Sequence, residues 1–161
     1  MAKNEHKTNV MRALEQKKIA YTAYQYPHEG GAVDGVTVAG LIGKEVSAVY
    51  KTLVTAGAKG QHYVFVIPVN EELDLKKAAK AVGEKSISMI PVAQILGLTG
   101  YVRGGCSPIG MKKQFRTVLH EAAQMQPTIT VSAGKIGEQV ELAPEELCRL
   151  IRADYADLIR E

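Results

Sequence analysis

Apolar positions recur with helical spacing near both ends of the chain and crowd into strand-like runs through its middle. Over residues 8–18, Val10, Met11 and Leu14 fall on one helical face. Three tyrosines and Thr22 within residues 21–26 suit a strand that stops at Pro27. After the loop His28-Glu29-Gly30-Gly31, Thr37 can cap a short helix over 38–42 that Gly43 closes. Residues 49–56 and 62–69 are apolar, β-branched runs, and Gly57-Ala58-Lys59-Gly60 between them is a hairpin signal. Asp74 then caps a helix in which Leu75, Ala78, Ala79 and Val82 repeat at i, i+3, i+4 and i+7, with Gly83 as its stop.

Pro91 opens another short helix, through Ile95 and Leu96 to Gly97. Residues 116–119, 128–131 and 139–142 read as strands, with Ala133-Gly134-Lys135-Ile136-Gly137 turning the chain between the last two. A final helix after Pro144 carries Leu147, Leu150, Ile151, Tyr155, Leu158 and Ile159 as its buried stripe. Strands in the middle with helices at the ends and between strand pairs predict an α+β fold with a curved mixed sheet. No repeat, low-complexity segment or linker interrupts it, so residues 1–161 read as a single domain.

Composition changes this picture little. Hydrophobic residues at 46% and charged residues at 23% are ordinary for a globular chain of 161 residues. No apolar run approaches the roughly 20 residues that span a bilayer, so no membrane partner is expected. The N-terminus, Met1-Ala2-Lys3-Asn4-Glu5-His6-Lys7, is polar and does not read as a secretory signal. Cys106 and Cys148 lack metal-ligand spacing and suggest neither a zinc site nor a disulfide framework. A cytoplasmic protein with reduced thiols, no metal and no cofactor is the expectation. The net charge of +3 is spread over short pairs, Lys17-Lys18, Lys76-Lys77 and Lys112-Lys113. That balance permits contact with RNA without concentrating charge for it.

The stretch from Gly100 to Lys113 holds the densest candidate chemistry. Four glycines and a proline fall between Gly100 and Gly110, which excludes a regular helix. Paired glycines let backbone N–H groups approach a ligand closely, and such a run can form an anion- or oxyanion-binding concavity. Arg103, Lys112 and Lys113 flank it. The pattern Gly104-Gly105-x-Ser107-Pro108-x-Gly110 occurs with Lys51-Thr52 before it and Val131-Ser132-Ala133-Gly134-Lys135 after it. Together these motifs resemble the YbaK/EbsC family, trans-acting aminoacyl-tRNA deacylases related to the editing domain of bacterial prolyl-tRNA synthetases. The resemblance runs in order along nearly the whole chain.

That resemblance implies a barrel-like mixed sheet surrounded by helices, and it implies roles for particular residues. Lys51 sits inside a strand-like run, where alternation puts it with Leu53 and Thr55 and opposite Thr52. The pattern alone leaves it facing either solvent or a cleft. By resemblance it is the lysine on which these deacylases depend, and Gly104 is the glycine whose backbone approaches the reacting carbonyl. Tyr26, Thr52, Gly105, Ser107 and Ser132 are the implied substrate-binding residues. Two departures stand out: Asp34 replaces an aromatic residue and Gln139 an aspartate found in some relatives. Both leave the amino-acid preference open.

Cys106 lies between Gly105 and Ser107 and invites a reading as a nucleophile, but none of His28, His62 and His120 is tied locally to the loop as its base. The resemblance implies a different route, in which the thiol of a substrate cysteine attacks its own ester carbonyl and leaves as a thiolactone. The implied substrate is cysteinyl-tRNA(Pro), with cysteinyl-tRNA(Cys) beside it, and prolyl-tRNA synthetase is the implied protein partner. Two other readings stand next to this one. One is a deacylase for another small aminoacyl-tRNA such as alanyl-tRNA(Pro). The other is a non-catalytic module that binds an aminoacyl-tRNA or a synthetase.

Overall fold

The computed structural model describes residues 7–161. The polar N-terminal stretch read above as non-secretory lies outside them, apart from Lys7. Helix α1 (Asn9–Gln16) starts where Thr8 accepts a hydrogen bond from the Met11 amide at 3.2 Å, and it buries Val10, Met11 and Leu14 as the periodicity predicts. Strand β1 (Thr22–Gln25) follows. Helix α2 (Gly35–Leu41) begins three residues earlier than expected. Its cap is Asp34, whose carboxylate accepts from the Thr37 amide at 3.1 Å and from the Thr37 hydroxyl at 2.7 Å. A carboxylate placed before the first turn captures the free N–H groups and leaves Thr37 inside the helix.

Strands β2 (Tyr50–Gly57) and β3 (His62–Pro68) form the expected hairpin, with Lys51 opposite Ile67 and Ala56 opposite His62. β3 is buried on both faces, which accounts for its unbroken apolar run. Val64 and Val66 join one core with α1, while Tyr63, Phe65 and Ile67 pack in a second core beneath α3 (Leu75–Val82). Phe65 alone, fully buried, contributes about 1.5–3 kcal/mol by transfer from water. Asp74 caps α3 and Gly83 ends it in the left-handed region, as predicted, but Leu75 turns out to solvent at 42% exposure.

The larger sheet is completed by three strands of different legibility. β4 (Ile87–Met89), three residues long, carries too little pattern to be foreseen and pairs with β2. Helix α4 (Ile95–Thr99) runs past Gly97 and stops at Gly100, which takes the left-handed conformation. β5 (Arg116–His120) runs parallel to β3. The last helix, α5 (Pro144–Ile151), ends well before the predicted stripe does. Arg152 adopts φ 57° and the chain enters β8 (Asp154–Ala156), parallel to β5. A continued helix would leave the β5 edge unpaired. Instead β8 covers that edge, and His120 Nδ1 accepts from the Leu158 amide at 3.2 Å.

A second sheet contains β6 (Ile129–Ser132) and β7 (Glu138–Leu142) in the antiparallel order β1-β7-β6. The larger sheet has the order β4-β2-β3-β5-β8. The α+β, mixed character is as expected. The strands form two sheets, which meet through a parallel bridge between Val49 and Thr130 and are not closed into a barrel. Among the described residues no helix is long and apolar enough to cross a membrane.

Candidate active site

The seam between the sheets opens into a cavity of about 130 Å³. Val49 is held in the bridge to Thr130, so the first residues of β2 are delivered directly into this seam. Tyr50, Lys51 and Thr52 all border the cavity, although Lys51 and Thr52 point to opposite faces of the strand further along. Tyr26, beyond the end of β1, closes one side and its amide donates to Gly137 O at 2.9 Å. Ser132 at the end of β6 and Gln139 in β7 face it from the second sheet. Val33, Gly35 and Val38, around the start of α2, provide an apolar wall. A volume of 130 Å³ is about four times a water's share of the liquid, so it suits an acyl group of a few heavy atoms.

Lys51 is the cation of this cavity. Its side chain is half-buried, and that burial pulls the ammonium pKa below the ordinary lysine value, with Glu72 and Glu71 opposing the shift from a distance. Among the described residues it forms no ion pair. Two residues that border the cavity also carry unpartnered polar atoms. Thr52 Oγ1 and Gln139 Oε1 are buried and find no hydrogen-bond partner in the protein. Gln139 is only 6% exposed. Unpaired buried polar atoms are costly in a folding sense, and they cluster where a ligand satisfies them.

The glycine loop approaches the cavity through Gly104 and Cys106. Gly104 has φ +89°, and a Cβ there would stand 2.6 Å from Ala32 Cβ. Gly105 does not line the cavity. A Cβ on it would come within 2.9 Å of Ile136 N, so this glycine lets the loop lie against the turn that follows Ser132. Ser107 is fully buried, and its Oγ accepts from the Ile109 amide at 3.2 Å, so it shapes the loop without bordering the cavity. Ser132 does both jobs: it borders the cavity and its Oγ accepts from the Gly134 amide at 3.1 Å. Of the seven residues singled out in the sequence, Tyr26, Lys51, Thr52, Gly104 and Ser132 converge, while Gly105 and Ser107 act from behind.

The remaining polar neighbours sort cleanly. Cys106 borders the cavity, yet burial pushes its thiol up to about 11, with only a hydrogen bond from the Thr99 side pulling it back. The thiolate fraction near neutrality is then roughly one part in ten thousand. Asp34 is committed to capping α2 and does not line the cavity, although its neighbours Val33 and Gly35 do. The apolar wall of Val33, Val38 and Val69 had no signal in the sequence beyond being apolar.

Comparison with known proteins gives consistent results. The family described as the aminoacyl-tRNA editing domain matches residues 32–150. A protein of Enterococcus faecalis, provisionally named as the Cys-tRNA(Pro)/Cys-tRNA(Cys) deacylase EbsC, is 48% identical over 97% of this chain and 95% of its own. A crystal structure described, also provisionally, as a trans-editing enzyme for prolyl tRNA synthetase is 28% identical. It superposes with a TM-score of 0.81 over 94% of this chain and 95% of its own. A hypothetical protein of 21% identity has a TM-score of 0.85 over 95% of this chain and all of its own, a likeness of fold.

Proposed function

This chain belongs to the aminoacyl-tRNA editing domain family, in its YbaK/EbsC branch, and from that membership we propose that it deacylates cysteinyl-tRNA(Pro) and cysteinyl-tRNA(Cys). The observation that carries this reading is the cavity itself: a small space bordered by one lysine without an ion-pair partner among the described residues and by two residues that carry unpartnered buried polar atoms. Its size suits a cysteinyl group, and its polar atoms suit an aminoacyl ester, which offers an amine, a carbonyl and ribose oxygens. The name of the 48% identical relative supports the same substrates.

In this mechanism the acyl group enters against Val33, Val38 and Val69, with its polar atoms towards Thr52, Gln139 and Ser132. Lys51 holds the ribose end and stabilises negative charge as it develops on the ester. The thiol of the substrate attacks its own ester carbonyl. An S–C bond forms, the C–O bond to the terminal ribose breaks, and the thiol proton passes to the departing ribose oxygen. The product is a thiolactone, which water opens to cysteine. Holding an intramolecular nucleophile in line contributes on the order of 7–11 kcal/mol in well-oriented cases. Cys106 is a bystander, since its thiol is almost wholly protonated.

Prolyl-tRNA synthetase is the proposed protein partner, supported by the description of the structural neighbour, and residues 1–161 act as one editing unit in the cytoplasm. The test is deacylation of labelled cysteinyl-tRNA(Pro) beside alanyl-tRNA(Pro). Rapid loss of cysteine with slow loss of alanine supports the proposal. Preference for alanine, or no deacylation at all, overturns it.

A further inference from the structure

Outside the cavity, a hollow of about 650 Å³ lies at the far end of the β2–β3 hairpin. Lys59 and His62 border it from the hairpin, and Lys113, Gln114 and Arg116 border it from the segment entering β5. Phe115 forms its buried floor, with the His62 ring 5.5 Å and the Lys113 ammonium 6.0 Å from its centroid. Two carboxylates touch its margin. Asp154 stands 3.7 Å from Arg116, and Glu84 accepts from the Tyr63 hydroxyl at 2.6 Å. Lys59 and Lys113 have no acidic partner among the described residues, and both are exposed.

The hollow is joined to the cavity in two ways. Along β2, Lys51 and Ala56 are five residues apart, and Ala56 pairs with His62, so the separation is roughly 17 Å at the rise of a strand. Along the chain, Cys106 borders the cavity and Lys113, after the glycine loop, borders the hollow. An exposed apolar anchor of the kind that dominates protein docking is missing among the lining residues, because Phe115 and Tyr63 are both buried. Unpaired ammonium groups beside a side-chain amide instead suit the phosphodiester backbone of a nucleic acid.

We propose that this hollow binds the phosphate backbone of the substrate's acceptor arm while the acyl end occupies the cavity. The proposal rests on the reading of aminoacyl-tRNA as substrate. It gives Lys113, one of the cations flanking the glycine loop, a task that the acyl chemistry leaves unassigned. Lys59 and Lys113 supply affinity without sequence preference, and the cavity supplies the discrimination.

The test uses the whole protein and a paired variant, Lys59→Glu with Lys113→Glu. Binding of uncharged tRNA(Pro) is measured between 50 and 200 mM salt, alongside deacylation of cysteinyl-tRNA(Pro) and of the cysteinyl ester of adenosine. The variant is expected to bind tRNA roughly tenfold more weakly at low salt, with a log–log salt slope shallower by about 1.4–1.8 for two lost phosphate contacts. Its rate on the adenosine ester should match wild type, which also shows an intact fold. Unchanged tRNA affinity and slope overturn the proposal, as does an equal loss of rate on the adenosine ester, or loss of synthetase binding in place of RNA binding. If the charge reversals prevent folding, Lys59→Gln with Lys113→Gln is read in the same way. Wild-type protein that binds tRNA through these lysines yet deacylates nothing refutes the proposed activity and leaves this contact standing.

Discussion

Replacing Lys51 with methionine separates the catalytic role of the charge from its cost to the fold. Methionine keeps the length of the side chain and removes the ammonium. Lys51 is half-buried, and burial lowers its pKa. The folded protein therefore holds the proton less tightly than the unfolded chain, which makes the charged side chain a liability below its folded pKa. That liability fades as pH rises towards the lysine reference value of 10.5. Lys51→Met should accordingly melt no lower than wild type at pH 7, with any gain shrinking in alkaline buffer. Catalysis should respond in the opposite direction. Losing one preorganised charge contact at a reacting ester costs about 10²–10³ in rate, or about 2.7–4 kcal/mol. The assay is single-turnover deacylation of cysteinyl-tRNA(Pro) at matched concentrations, with thermal melts on the same samples. A variant that deacylates at the wild-type rate refutes the reasoning, and one that loses activity only because it unfolds refutes the assignment of a purely electrostatic role.

Three further expectations follow from contacts at the site and the β5 edge. Gly104→Ala brings a Cβ to 2.6 Å from Ala32 Cβ at φ +89°, so it should lower both stability and activity, by about 1–3 kcal/mol in thermal unfolding, and Ala32→Gly should restore part of the loss. Cys106→Ser should keep most of the deacylation rate, and alkylation of the wild-type thiol should be slow at neutral pH because burial holds its pKa at about 11. His120 is held neutral by burial, with Nδ1 accepting from Leu158, so melts from pH 7.5 to 5 should show stability falling as pH drops through the histidine range. His120→Asn should flatten that dependence.

How far the sequence revealed the fold depended on the range of the interactions. β3 and α3 were legible because their signals are local: an unbroken apolar run rich in β-branched and aromatic residues, and an Asp cap with a Gly stop. The end of α5 was not, because Tyr155 and Leu158 keep helical spacing while the edge of β5, 36 residues earlier in the pairing register, decides that the chain becomes β8. The two sheets meet through the bridge from Val49 to Thr130, and no local pattern announces such a contact. Thr37 was the expected cap, and the geometry of the first turn gives that role to Asp34 instead. At the site, the residues of the motifs were legible as a set, but their convergence was not. Tyr26, Lys51, Gly104 and Ser132 are far apart in sequence and meet only at the seam. Gly105 and Ser107 belong to the same motif but do not border the cavity, a distinction the motif cannot carry.

The central claim is that the cavity positions a substrate whose own thiol performs the attack. The most direct measurement compares cysteinyl-tRNA(Pro) with seryl-tRNA(Pro) and identifies the first acyl product released from the cysteinyl substrate. A hydroxyl is almost wholly protonated at neutral pH, whereas a free thiol is already a few per cent thiolate. The account predicts fast cleavage of the cysteinyl ester, slow cleavage of the seryl ester, and a thiolactone that can be trapped before free cysteine accumulates. Equal rates on the two esters, or a cysteinyl group found covalently on Cys106, would contradict it.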